Sequence, residues 1–152
     1  MSVSLPWHLY IFRAITEISA YILIAYAINR KKIVFKDFII SLISIAIIVT
    51  IVKQTVKSMG IPQFFFIVSI IFILTYINKL DLLKSVISVI ATEIYLISLE
   101  TLCFIALKDY NIYIISLPSQ FIFFITAICF YKIRTKKIKK LLTRIPLIIF
   151  DN

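Results

Sequence analysis

This chain of 152 residues contains few of the residues that build catalytic and metal sites: one glycine, two cysteines and one histidine. It has no P-loop, no HExxH or GxSxG motif and no paired cysteine set. One histidine and two distant cysteines do not form a typical metal site either. We therefore predict no catalytic residue, no metal site, no cofactor and no enzymatic activity. A membrane peptidase is the enzymatic alternative, although the sequence offers no nucleophile and base at a recognisable spacing.

Charged residues are also scarce, at 16% of the chain against about 25% in soluble domains. Hydrophobic residues make up 62%, and the mean hydropathy is +1.06. The apolar residues form long blocks, such as 38–52, 64–77 and 112–131. A helix that faces lipid is apolar all round, whereas the strands of a barrel alternate apolar and polar residues. The sequence predicts an all-α fold, a polytopic transmembrane helix bundle in one domain.

Charged and turn-forming residues divide the apolar blocks into about five spans. Gly60 and Pro62 mark one turn, because proline cannot continue a helix but readily begins one. The predicted spans are residues 5–28, 38–57, 63–78, 85–107 and 112–131. The bundle then covers residues 1–131, and a basic amphipathic tail covers 132–152. Apolar residues share one face of this tail, which predicts an interfacial helix on the inner membrane surface or a connector to a further domain.

Lysine and arginine predict the orientation of the bundle. With the amino terminus outside, the outer loops carry only Lys53, Lys57 and Lys108, and the cytoplasmic side carries the remaining loop cations and the tail. The expected location is the bacterial cytoplasmic membrane. The net charge of +10 follows from this topology and from attraction to an anionic inner leaflet, so nucleic-acid binding is not expected. The predicted lipid contacts are Arg30, Lys31, Lys32, Lys132, Arg134, Lys136, Lys137, Lys139 and Lys140.

Cys103 and Cys129 are predicted to be unpaired, because they lie near opposite ends of adjacent spans. A disulfide needs Cα atoms within about 7 Å, and a helix rises about 1.5 Å per residue. Both are expected to be small buried hydrophobic residues. His8 lies beside Trp7 and Tyr10, which is typical of an aromatic belt at the membrane interface.

Four ionisable residues lie inside predicted spans, where charge is costly and side chains should pair within the bundle. Arg13 and Glu17 share a face of the first span, and Glu93 and Glu100 share a face of the fourth. Counting about 1.5 Å per residue, Arg13 and Glu100 lie about 10–12 Å below the outer surface. The sequence therefore predicts an Arg13–Glu100 ion pair, with Glu17 and Glu93 close by and at least one of them protonated. These four side chains either join the two spans or form a ligand site.

Two further patterns concern helix packing. A stripe of small residues on the fourth span, Ser85, Ser88, Ala91 and Thr92, predicts close helix approach. Pro118 predicts a kink in the fifth span, which frees a backbone carbonyl. Gln120 then either donates a hydrogen bond to the freed carbonyl or lines a cavity with Glu100.

Short stretches of the chain resemble a known family. Gly60-Ile61-Pro62 is followed by an apolar span and by Lys79-Leu80-Asp81-Leu82-Leu83-Lys84-Ser85, and Ser116-Leu117-Pro118-Ser119 leads to Tyr131-Lys132. Over about residues 60–135 the chain resembles the amino-terminal membrane module of bacterial GHKL-type sensor histidine kinases, a class that includes quorum-sensing peptide receptors. It departs from the family after the last span, since no phospho-accepting histidine and no ATP-binding box follows. The resemblance implies a stand-alone or truncated sensory module.

The expected function is signalling of the two-component type, in which helix packing relays a signal. The resemblance implies a second copy of the chain, or a membrane or kinase protein, as partner. The alternatives are a small transport or energy-coupling subunit and an immunity or holin-like protein.

Overall fold

The computed structural model describes residues 7–55, 61–107 and 112–142, and in these ranges every regular element is an α-helix. The all-helical prediction is therefore confirmed. The helices are α1 (Trp7–Ile28), α2 (Phe35–Thr55), α3 (Ile61–Tyr76), α4 (Leu82–Ala106) and α5 (Ile112–Leu142).

Three of the described helices, α1, α2 and α4, are long and apolar enough to cross a membrane. A span of the hydrocarbon core, about 30 Å thick, needs about 20 residues. Helix α3 is equally apolar but has only 16 residues. The outward face of α2 carries Ile43, Ile47 and Ile51, each more than half exposed. Such an apolar outer surface is suited to contact with lipid.

Helix α1 lies at the centre of the bundle and contacts the other four helices. Half of its apolar stretch Ile11–Ile28 is buried, against 11% of the corresponding stretch of α2. Ser19, Ala20, Ala25 and Ala27 are all buried. Their small side chains let neighbouring helices approach closely, which explains why α1 is enclosed.

Two helices begin three residues earlier than predicted. Helix α2 starts at Phe35 rather than residue 38, and Asp37 in its first turn is favourable near the positive end of a helix dipole. Helix α4 starts at Leu82 rather than residue 85, because the Asp81 carboxylate caps it by accepting a hydrogen bond from the Lys84 N–H at 3.0 Å. The prediction treated these charged residues as loops.

Helix α5 does not end at residue 131 but continues to Leu142. The first eleven residues of the predicted tail extend the same helix, and the end of the membrane span at residue 131 stays a prediction. No glycine or proline lies between Pro118 and Pro146, and lysine, arginine and leucine favour helix. The remainder of the tail, 143–152, lies outside the described residues, as does the predicted turn at 108–111. Of the predicted turn 59–62, residues 59 and 60 also lie outside them, whereas Ile61 and Pro62 begin α3.

Two connections lie together at one end of the bundle, residues 29–34 between α1 and α2 and residues 77–81 between α3 and α4. We call this the paired-loop end. The N–H of Asp81 donates to Asn29 Oδ1 at 3.1 Å, and Lys31 Nζ donates to the carbonyl of Lys79. Each connection contains one residue in the left-handed region, Arg30 (φ 54°) and Lys79 (φ 52°).

These two residues terminate α1 and α3. After α1, the Lys31 N–H donates to the Tyr26 carbonyl at 3.1 Å and the Arg30 N–H to the Ala27 carbonyl at 3.2 Å. This pair of bonds is the Schellman motif, which usually places glycine where Arg30 stands. After α3, the Leu80 N–H returns to the Leu74 carbonyl at 3.0 Å.

Three side-chain predictions need correction or comment. Cys103 and Cys129 are both unpaired, but Cys103 is only half-buried and Cys129 is exposed, so neither is a buried core residue.

In the small-residue stripe of α4, Ala91 is exposed, whereas Ser85, Ser88 and Thr92 are buried. The buried face of α4 is completed by Val89 and Leu96 instead, since residues three or four apart share a helix face. Pro118 lies inside α5, and its kink remains a prediction.

Candidate functional site

The four ionisable residues expected inside the bundle lie around one space between α1 and α4. Arg13 Nη2 donates to Glu100 Oε1 at 2.6 Å, the ion pair that the depth count predicts. About a third of each side chain is exposed. Glu17 lies one turn further along α1, with Oε2 3.9 Å from Arg13 Nε.

Glu93 has neutral hydrogen-bond donors. Gln63 Nε2 donates to Glu93 Oε1 at 2.6 Å, and the Tyr21 hydroxyl donates to Oε2. Among the described residues, no cationic side chain lies within ion-pair distance of this carboxylate. Glu93 is therefore stabilised by hydrogen bonds alone, unlike Glu100.

Gln120 joins the cluster from α5. It is buried, and its Nε2 lies 3.4 Å from Glu100 Oε1, which makes a long, weak hydrogen bond. Its Oε1 is buried without a hydrogen-bond partner among the described residues. An unsatisfied buried amide oxygen is costly, so it marks a place where a donor would be favourable.

The four ionisable side chains line a cavity of about 500 Å³, which we call the polar cavity; Gln120 is not among its lining residues. Arg13, Glu17, Glu93 and Glu100 all face it, with Gln63 from the first turn of α3. Helix α3 has 16 residues against 25 in α4 and begins beside the middle of α4, as the Gln63–Glu93 bond shows. The cavity therefore lies where the short helix starts.

The residues that sequence reasoning missed are Tyr21 and Gln63. Tyr21 lies four residues after Glu17, which itself follows Arg13 by four, so the helical spacing placed all three on one face. Tyr21 is fully buried, and its ring packs edge-on against Phe66 at 5.4 Å between centroids. Gln63 carried no comparable signal, because only contact with Glu93 distinguishes it from other polar residues near a helix start.

A second buried polar group joins α1, α2 and the connection 77–81 near the paired-loop end. The Tyr26 hydroxyl donates to Asn78 Oδ1 at 2.7 Å, and Asn78 Nδ2 donates to Ser41 Oγ at 2.7 Å. All three residues are buried. Close by, the N–H of Ile33 donates to the hydroxyl of Tyr131 on α5 at 3.1 Å. The connections and α5 are therefore held together at this end.

The remaining predicted sites are the basic residues expected to contact lipid and the aromatic belt around His8. Arg30, Lys31, Lys32, Lys132 and Lys136 are exposed, and Arg134 is half-buried. Lys31 also bonds the neighbouring connection, so it has a structural partner besides any lipid. The side chains of Lys137, Lys139 and Lys140 lie outside the described part of the chain, as do those of Trp7, His8 and Tyr10. Their predicted roles remain predictions.

Within the described ranges, no three His, Cys, Asp or Glu side chains lie close enough together to hold a metal ion. The carboxyl groups of the polar cavity are distributed around its wall instead. Comparison with protein families, curated proteins and solved structures finds no match to this chain.

Proposed function

We propose that the protein is a five-span sensory module of the bacterial cytoplasmic membrane, with its amino terminus outside and its carboxy terminus in the cytoplasm. Three described helices of spanning length and apolar outer faces support the membrane assignment. The distribution of lysine and arginine supports the orientation. The resemblance to sensor kinase membrane modules supports signalling.

The observation that carries the proposal is the convergence of three carboxyl groups and one guanidinium on the polar cavity. A single ion pair would be enough to join α1 to α4. Glu93 adds a second ionisable group that has no cationic partner among the described residues, and such a group is costly in a membrane unless it has a function. A ligand that enters the cavity and contacts Glu93 would recover that cost.

A route for the signal follows from α1 and α5. Helix α1 contributes Arg13 and Glu17 to the polar cavity, and at its other end Tyr26 and Asn29 bind the paired-loop end. Helix α5 packs against α1 and continues beyond the bundle as a basic helix. A ligand that shifts α1 would therefore move α5, and a partner protein in the cytoplasm would read that movement.

A small transport subunit is the second candidate, because a polar cavity inside a bundle also suits a substrate in transit. Co-purification distinguishes the two. The full chain is crosslinked in native membranes through a photoreactive residue placed at Lys136, and the captured proteins are identified by mass spectrometry.

Signalling predicts capture of a protein with a kinase or response-regulator domain, and weaker capture by E93Q than by the control D37N. Asp37 is also acidic but is absent from the polar cavity. Capture of a transport ATPase, or equal capture of the kinase by both variants, would overturn the sensory proposal.

A further inference from the structure

A second cavity adjoins the polar cavity. It has a volume of about 420 Å³, lies between α1 and α2, and shares Ala14, Ile18 and Val49 with the polar cavity. The rest of its wall is apolar except for Thr50, whose hydroxyl donates to the Ala46 carbonyl at 2.7 Å. We call this second cavity the apolar groove. Together the two cavities offer a polar compartment joined to an apolar one.

We infer that the two cavities hold one amphiphile, with a cationic ammonium head in the polar cavity and a single hydrocarbon chain in the apolar groove. The inference rests on the proposed function of the polar cavity as a ligand site and names the class of ligand.

The sign of the head group follows from the charges around the polar cavity. Three carboxyl groups face one guanidinium, and Arg13 is already paired with Glu100 at 2.6 Å. An ammonium group donates hydrogen bonds and accepts none, which matches the carboxylate of Glu93 in the wall of the polar cavity. Among the described residues that line the cavity, a phosphate or carboxylate head would meet acidic side chains and no cation besides Arg13, which is already paired. The dispersed carboxyl groups also suit an organic cation better than a metal ion.

The chain follows from the shape and composition of the apolar groove. Its lining on α2 extends from Leu42 to Ile51, about 13 Å along the helix. Small side chains on both helices, Ala14 and Ala46, make room between them. Since Ile43 and Ile47 line the groove and are more than half exposed, it is accessible from the lipid side of α1 and α2. An amphiphile could therefore enter from the bilayer.

The experiment measures binding of octylamine, butylamine and octanol to the full chain in nanodiscs of phosphatidylcholine and phosphatidylglycerol. Affinity is calculated from the concentration of probe in the bilayer, so that differences in partitioning between water and lipid do not affect the comparison. A photoreactive octylamine, with a diazirine at the end of the chain, then reports where the chain lies.

We expect saturable binding of octylamine at least ten times tighter than that of octanol, and crosslinks to the facing surfaces of α1 and α2. E93Q should weaken octylamine binding at least tenfold, whereas D37N should not. A46F fills the groove and should weaken octylamine tenfold but butylamine less than twofold. I40F is the matched control, since Ile40 is exposed on α2 and absent from the groove.

Equal affinity for octylamine and butylamine, with A46F equal to I40F, would overturn the amphiphile while leaving a cation site in the polar cavity. Octanol binding as tightly as octylamine would overturn the cationic head. Absence of saturable binding by any probe would overturn the inference as a whole. The sensory proposal is tested by a separate experiment, the crosslinking at Lys136, and would be overturned by the identity of the captured partner.

Discussion

The carboxyl groups of the polar cavity have different neighbours, and these neighbours give Glu100 and Glu93 different expected roles. Glu100 is paired with Arg13 and also contacts Gln120, so it joins α1, α4 and α5. Among the described residues, Glu93 receives hydrogen bonds from the neutral side chains of Tyr21 and Gln63 alone. Removal of Glu100 should therefore affect stability first, whereas removal of Glu93 should affect ligand binding first.

The ion pair gives the first stability prediction. Arg13→Ala and Glu100→Gln should each lower the free energy of unfolding by about 1–2 kcal/mol, because each leaves a partly enclosed polar group without its partner. The double variant should cost less than the sum of the two single changes. Reversible unfolding in mixed micelles measures all three. Unchanged stability of both single variants would contradict the pair.

The buried group of Tyr26, Asn78 and Ser41 gives the second prediction. Asn78→Leu removes one donor and one acceptor and leaves two buried hydroxyls without partners, so we expect a loss of about 1–2 kcal/mol. Ser98→Ala is the control, because its hydroxyl is exposed and donates to the Ile94 carbonyl of its own helix at 2.8 Å. Equal stability of the two variants in the same unfolding assay would show that this group contributes nothing.

At the scale of helices, the ends of α1 and α3 need left-handed residues, and the sequence places Arg30 and Lys79 there instead of glycine. The left-handed region costs a residue with a side chain about 1 kcal/mol or more. Arg30→Gly should therefore raise the free energy of unfolding by about 0.5–1 kcal/mol, while Arg30→Ala should not. If both variants lose stability equally, the arginine side chain matters more than the backbone.

The existence of the helices could be predicted, and their ends only in part. Long apolar blocks interrupted by charges are enough to count five helices. Asp37 and Asp81 were assigned to loops because of their charge, yet both lie at helix starts, where charge is favourable. The predicted fifth span ends at residue 131, whereas helix α5 continues to Leu142. A change from apolar to basic composition marks a change of surroundings, which need not coincide with a change of backbone conformation.

At the scale of the whole molecule, the central position of α1 could not be predicted from composition. The stretches of α1 and α2 are both highly apolar, yet half of one is buried and only 11% of the other. Which helices touch depends on how connections and small residues combine. Depth alone predicted the Arg13–Glu100 contact, because two charges at one level of a small bundle have few other partners. The apolar groove depends on the packing of α1 against α2 and had no signal in the sequence.

The proposed orientation predicts which connections are accessible from outside the cell. In a background with Cys103 and Cys129 replaced by serine, a membrane-impermeant maleimide should label K108C on intact cells. It should label K32C only after the membrane is permeabilised, since the inner loops carry most cations. The reverse pattern would contradict the orientation, and labelling of both positions on intact cells would contradict the three spans between them.

The central claim is that Glu93 holds a ligand in the polar cavity. The most direct measurement is native mass spectrometry of the full chain released gently from its own membranes, for the wild type, E93Q and D37N. We predict a bound small molecule on the wild type and on D37N, reduced at least tenfold on E93Q. No bound small molecule on any of the three, or the same one retained equally by E93Q, would contradict the claim.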